Sequence, residues 1–374
     1  MTPRRARRTA AALAVVLATA ACTGGSGDEV GPAQVDVPDD SLALLGTVDL
    51  DAAVDGDARL SDLAPSPDGD PVALLGDGGT RSWLVDVTTG DGGPTATGVR
   101  EIPAVGDDAE LAVLPDGGAL VAGTNPTAGY RLLTVPPGGT TPTVTDLGLR
   151  PDRATTALSP DGRTFYAAVA LPDAGPAQLL AVDLAAGTVR TTAPVVPDGT
   201  VAALAARPDG GLAALLETAG RTVLGEYDAD LRPVGEPVDL VPEAPVSSPA
   251  DLALTADGTA VATLHLGEAR SSGELVAVAD GAVQTVVVLD GVGDSALDLA
   301  IAADGRTAAV PRADLMFPAE LITVDLATGE RVAEVRLCPG AGVLGQVAPV
   351  DGGVVVTGSC IDDDGPQATA FLVG

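Results

Sequence analysis

The chain has 374 residues, with 52 acidic side chains against 20 basic ones, a formal net charge of −32 and aromatic residues at only 2%. Such an acidic surface repels nucleic acid and anionic lipid headgroups, so neither is an expected partner of the folded part. A single histidine, His265, excludes the multi-histidine zinc sites of metallohydrolases, and the scarcity of aromatics leaves Val, Leu and Ala to build the core.

The first 21 residues read as an export signal. Arg4, Arg5, Arg7 and Arg8 form a basic head, and residues 9–18 form an apolar stretch too short to span a bilayer as a mature helix. Thr19-Ala20-Ala21-Cys22 follows, small residues before a cysteine, and resembles a bacterial lipobox with Thr where Leu is usual. The resemblance implies diacylation of Cys22 and a lipid anchor on the outer face of the cell membrane; plain secretory cleavage is the alternative. Taking the four arginines from −32 leaves −36 for the exported chain. Residues 23–40, rich in Gly, Asp, Pro and Ser, read as a flexible tether.

From residue 41 onward one signal recurs. A short apolar run ends in Asp-Gly at Asp68, Asp116, Asp161, Asp209, Asp257, Asp304 and Asp351, with successive spacings of 48, 45, 48, 48, 47 and 47 residues. Seven units of that length, each with strand-like runs on both sides of a hairpin turn, predict an all-β, seven-bladed propeller of four-stranded blades. The third unit predicts strands at 154–159, 164–170, 178–183 and 188–194, the third of them ending in Asp183-Leu184-Ala185-Ala186-Gly187. The blades fall roughly at 61–102, 109–149, 154–195, 201–240, 250–289, 297–337 and 344–373. The last unit is one strand short. The unpaired candidate at 42–50 supplies it, closing the ring and removing two open sheet edges.

Ser66-Pro67-Asp68-Gly69 and Ser159-Pro160-Asp161-Gly162, with the third-strand endings Val85-Asp86-Val87-Thr88-Thr89-Gly90 and Val324-Asp325-Leu326-Ala327-Thr328-Gly329, resemble the repeats of YVTN and lactonase-like propellers. The resemblance is one of turns and implies the fold. It also brings lactone hydrolysis into consideration, because that family includes lactone hydrolases. The Gly-His and Trp-Asp pairs of WD40 repeats are absent, and a TolB-like propeller has similar turns.

Strand direction sorts the loops onto two faces. The Asp-Gly turns share one; the blade-joining and second-to-third loops, which are longer and more variable, share the other and are where binding is expected. Cys338 and Cys360 fall on that variable face. With Cys22 assigned to the anchor they form an even pair, and an exported protein favours a disulfide between them. Six residues before each turn Asp stand Asp62, Glu110, Thr155, Ala203, Asp251, Asp298 and Gly345. The four carboxylates belong either to a ring that binds a cation or a basic ligand group, or to clamps that accept backbone N–H bonds and fix a neighbouring blade. Calcium is the cofactor such a ring allows; otherwise none is expected. Asp362-Asp363-Asp364-Gly365 and the cluster Asp49, Asp51, Asp55 and Asp57 invite the same calcium reading but lack the spacing of an EF-hand loop. Arg312, beside Leu315, Met316 and Phe317, offers a candidate partner contact on a variable loop. No catalytic motif is visible. The expected function is a membrane-anchored, non-catalytic, monomeric binding propeller whose extracellular protein or small-ligand partner docks at the variable-loop face; the alternatives are a lactonase-like hydrolase and a divalent-cation binder.

Overall fold

Short connections reverse the chain after every strand, so within each repeat of 45 to 48 residues a strand pairs with its neighbours in sequence, and the sheets follow from that. The computed structural model describes residues 42–54, 58–78, 81–90, 92–106, 108–125, 129–171, 177–194, 199–242, 247–267, 272–290, 297–314, 317–361 and 368–374. The chain divides into two units, Met1–Asp39 and Asp40–Gly374, and the described residues all lie in the second.

Blade 1 consists of β2 (Arg59–Ala64), β3 (Val72–Gly76), β4 (Arg81–Thr88) and β5 (Thr95–Pro103). Blade 2 has β6 (Glu110–Val113), β7 (Ala119–Asn125), β8 (Gly129–Val135) and β9 (Thr143–Asp146), and blade 3 has β10 (Arg153–Leu158), β11 (Thr164–Ala170), β12 (Gln178–Asp183) and β13 (Thr188–Pro194). Blade 4 runs β14 (Gly199–Ala206), β15 (Leu212–Thr218), β16 (Arg221–Tyr227) and β17 (Val238–Asp239); blade 5 runs β18 (Ser247–Leu254), β19 (Ala260–Leu266), β20 (Ser272–Ala279) and β21 (Ala282–Asp290). Blade 6 contains β22 (Ala300–Ile301), β23 (Thr307–Asp314), β24 (Phe317–Asp325) and β25 (Arg331–Arg336). Blade 7 contains β26 (Gly342–Val350), β27 (Gly353–Cys360) and β28 (Thr369–Val373), and its fourth, outer strand is β1 (Leu44–Asp49) from the other end of the chain. Every sheet is antiparallel and four-stranded in the described residues. The chain is a seven-bladed β-propeller.

The closing strand pairs Leu44 with Val373 and Asp49 with Thr369. The seam extends beyond the ladder: Leu50 N–H donates to Ala368 O at 2.8 Å, and Ala368 N–H donates to Asp51 Oδ2 at 3.0 Å. Blade 4 departs from the regular pattern. Its outer strand shrinks to two residues because Pro233 and Pro237 bring no N–H to a ladder.

Seven hydrophobic clusters account for the core of the described residues, and each lies between two adjacent blades. The middle strands are covered on both faces, so they read as unbroken apolar runs such as Val72-Ala73-Leu74-Leu75 and Leu212-Ala213-Ala214-Leu215-Leu216. The few aromatics sit inside these interfaces: Trp83 between blades 7 and 1, Phe165 between 2 and 3, Tyr166 and Tyr227 between 3 and 4, Phe371 between 6 and 7.

The repeated aspartates make turns. Asp161 Oδ1 accepts Arg163 N–H at 3.0 Å, Asp257 Oδ1 accepts Thr259 N–H at 3.1 Å, and Asp304 Oδ1 accepts Arg306 N–H at 2.7 Å, each two residues along the chain. On the third-to-fourth turns, Asp183 and Asp325 accept in the same way from Ala186 and Thr328. Cys338 and Cys360 are joined by a disulfide with Cα atoms 5.4 Å apart, tying the entry of blade 7 to the end of its second strand. By the chain-entropy argument this link contributes about 3 kcal/mol. It also fits an oxidising, extracytoplasmic environment.

Two of the turn glycines separate backbone strain from crowding. Gly258 has φ +88° and open space around a would-be Cβ, whereas Gly162 has φ +67° and would place its Cβ 2.3 Å from Pro115 Cδ of the preceding blade. Gly258→Ala is expected to cost about 1–2 kcal/mol, the left-handed penalty alone. Gly162→Ala is expected to cost clearly more, because Pro115 must also move. Denaturant unfolding of the two variants checks the order.

Candidate functional site

The innermost strand of each blade has no partner on its channel side, so its edge N–H groups need acceptors. The repeat carboxylates supply them. Asp62 Oδ2 accepts Leu111 N–H of blade 2 at 2.6 Å while its Oδ1 accepts the neighbouring Leu63 N–H at 2.8 Å. Glu110 Oε2 accepts the N–H of Thr156 in blade 3 at 2.7 Å and also its hydroxyl. Asp251 Oδ2 accepts Leu299 N–H of blade 6 at 2.9 Å, and Asp298 Oδ2 accepts Val347 N–H of blade 7 at 2.5 Å. Each carboxylate therefore bridges its own blade to the next one around the ring.

All four also line one cavity of about 630 Å3 in the central channel. Thr155 and Ala203 stand beside them at the expected positions. In blade 7 the place expected for Gly345 is taken by Gln346, because β26 shifts register between Leu344 and Val347. Similar irregularities lie between Leu60 and Asp62 and between Pro249 and Asp251, just before two of the carboxylates. A bulge of this kind re-aims the side chain that follows it, here towards the channel. The cavity mouth lies on the blade-joining loop face, where Asp108, Asp152 and Arg153 are exposed. These three are absent from the sequence reading. The signal for Arg153 was its position two residues ahead of Thr155, where the ring lacks a carboxylate.

Burial pushes the Asp62 carboxyl up to about 7; the N–H groups of Leu111 and Leu63 pull it back in part and the charge of Asp251 adds to the rise. Glu110 is pushed to about 7, again by burial first, with Thr156 opposing and Asp62 and Asp251 reinforcing. Asp251 and Asp298 share a hydrogen bond. Both are raised by burial, and the negative charge of Asp251 raises Asp298 further. Among the described residues no group of three His, Cys, Asp or Glu side chains is arranged to hold a metal ion.

His265 does not line this cavity. It is buried in β19, its backbone paired with Ser248 and Gly273. Arg312 is drawn into its own blade, where its guanidinium pairs with Glu320 and, at 3.3 Å, with Glu334. Cys22, Leu315, Met316, Asp55, Asp57, residues 362–365 and the side chain of Phe317 lie outside the described residues. Asp49 and Asp51 act on the closing seam, Asp49 accepting Ala52 N–H at 3.1 Å.

No protein-family model matches the chain, and no characterised protein matches it by sequence. Among solved structures it is similar to hydrazine synthase from Kuenenia stuttgartiensis (TM-score 0.59, 17% identity, covering 84% of this chain and 96% of that one). A protein from Lactobacillus plantarum (TM-score 0.55, 15% identity) and a candidate 6-phosphogluconolactonase from Bacteroides uniformis (TM-score 0.55, 17% identity) each match over 74% of this chain and 85% of theirs. The likeness is one of fold. At these identities it carries no activity across.

The ring makes stability depend on pH. Asp62 and Glu110 titrate near 7 in the folded protein and near 4 when unfolded, so the native state holds more protons in between. Their contribution is complete below about pH 4 and is lost as pH rises through 7. Asp161, Asp209, Asp257, Asp304 and Asp325 are lowered by turn hydrogen bonds and act oppositely, losing their contribution only below the ordinary carboxylate range. The melting temperature is therefore expected to be higher at pH 5 than at pH 8. Asp298→Asn keeps an acceptor for Val347 and a donor for Asp251 while removing the repulsion. It is expected to raise the melting temperature at pH 8 and to change it little at pH 5. Thermal melts of the two proteins at both pH values check this.

Proposed function

We propose that the chain is a non-catalytic binding propeller, held outside the cell membrane by acylated Cys22, whose ligand site is the channel mouth on the blade-joining loop face. The ligand class is a small molecule carrying one or more amino groups. One observation carries the reading: four half-buried carboxylates converge on a single channel cavity under an acidic rim while most of their oxygens already accept backbone N–H bonds. Groups committed in that way offer charge and shape to a cationic guest and leave little freedom for proton shuttling. The sole histidine stands outside the cavity. Calcium, the cofactor considered from sequence, needs several free oxygens converging at one point, so a basic organic group fits the ring better.

A second reading, lactone hydrolysis, draws on the fold likeness to the Bacteroides uniformis protein and on one local feature. Asp62 and Glu110 titrate near 7, which suits a general acid or base, and Arg153 stands in the same cavity.

A polyamine such as spermidine separates the two. Ionisation of groups with values near 7 rises about tenfold between pH 6 and pH 8, so spermidine affinity is expected to rise by about that factor. It should fall when Asp108 and Asp152 are changed together to Asn. Gluconolactone should open no faster with the protein than without it. Turnover that disappears in Asp62→Asn would favour the hydrolase instead. Calorimetry and a pH-stat assay provide these readouts, and fractionation of Cys22→Ser cells tests the anchor by release of the protein.

A further inference from the structure

Away from the channel, a cleft of about 330 Å3 opens between blades 1 and 2. Blade 1 contributes Pro103, Ala104 and Val105; blade 2 contributes Leu133 and Val144, the latter 47% exposed on the outermost strand. These walls are apolar; Asn125 also lines the cleft, its Nδ2 donating to Ala104 O at 3.4 Å. Into them β8 sends one charged side chain, Arg131, on the same face as Leu133 and Val135, which pack in the core between the two blades.

Arg131 combines two features that the other described arginines show only separately: it has no partner, and its Nε is buried. Among the described residues Arg81, Arg100, Arg207, Arg221, Arg232, Arg306 and Arg312 form ion pairs with Asp or Glu. Among the described residues Arg131 forms neither an ion pair nor a hydrogen bond, and its Nε is buried without an acceptor. The strand register explains why. Opposite Arg131 on β7 stands Gly123, which has no side chain to offer, and a Cβ there would fall 3.0 Å from Ala109 Cβ and 3.1 Å from Val105 Cβ. Blade 6 shows the alternative: its cross-strand pair, Arg312 opposite Glu320, is a closed ion pair. On the other side of Arg131, Asp146 stands in register on β9, but its Oδ1 accepts Gly148 N–H at 2.8 Å.

A guanidinium with a buried, unanswered donor at the end of an apolar cleft is complementary to a planar anion with an apolar body, since the fork of N–H groups matches a carboxylate and the walls take the rest. We propose that the cleft between blades 1 and 2 binds a small organic carboxylate with an apolar body, its carboxylate paired with Arg131 and its body against Pro103, Val105, Leu133 and Val144. This site is separate from the channel and independent of what the channel binds.

The test is calorimetry of the purified full chain with octanoate, alongside octanol and octylammonium. Saturable binding of octanoate is expected, at least tenfold tighter than either control. Arg131→Gln should lose at least tenfold in octanoate affinity, and Arg131→Lys should fall between, keeping charge but not the fork. Arg336→Gln, an exposed arginine in blade 6, should bind as the parent does. Because Arg131 has no partner among the described residues, Arg131→Gln should melt no lower than the parent. Should it misfold, Val144→Glu places a repelling charge on an exposed strand position and should abolish binding. Absence of saturable octanoate binding, equal binding of octanol, or undiminished binding by a folded Arg131→Gln or Val144→Glu protein overturns the proposal.

Discussion

Everything in this propeller depends on what becomes of the inner strand edges. A ring of radial sheets turns one edge of every sheet to the central channel, and those N–H groups have no strand to pair with. Leaving a buried donor unmet costs about 1–3 kcal/mol. Four blades meet the need with a carboxylate from the preceding blade: Asp62 on Leu111, Glu110 on Thr156, Asp251 on Leu299 and Asp298 on Val347. The same bonds fix the rotation of one blade against the next, so the edge problem and the blade-docking problem share one solution.

That solution has an electrostatic cost. Carboxylates that clamp neighbouring blades must share the channel; burial raises all four, and the charge of a neighbouring carboxylate adds to the rise at Asp62, Glu110 and Asp298. The three positions without a carboxylate, Thr155, Ala203 and Gln346, keep the ring from accumulating seven such groups in one cavity. Between the blades the problem is different. There the sheets meet face to face with Val, Leu and Ala, and polar bonds serve mainly at the rims and turns. The outer edge of blade 7 is met by β1, whose pairing with β28 joins the two ends of the folded chain in one sheet.

The two places suited to ligands differ in how their charge is held. In the channel the charges are numerous and already engaged with backbone, so the site acts as a field with a defined shape. Between blades 1 and 2 there is one charge, Arg131, and it is unengaged among the described residues: one cross-strand neighbour is Gly123, and the other, Asp146, accepts Gly148 N–H instead. Arg312 makes the contrast within the same molecule: an arginine singled out from its loop position for partner contact is held by Glu320 and Glu334.

The period of the Asp-Gly turns determined the number of blades, because hairpin chemistry is a local property of sequence, and the strand-like run at 42–50 pairs with β28 as the fourth strand of blade 7. In blade 3 the strands at 164–170, 178–183 and 188–194 were legible to the residue. The recurrence of Asp62, Glu110, Asp251 and Asp298 was legible too, as was the possibility that they clamp blades. Tertiary structure alone decided that all four reach one cavity. It also decided that Gln346 takes the place expected for Gly345, since a bulge shifts register without leaving a mark in the pattern of apolar residues. The same holds for Arg153 at the channel mouth and for Arg131 in the cleft. Whether an arginine meets a counter-ion depends on the residue across the sheet and on the neighbouring blade, and those distances are set only when the ring closes.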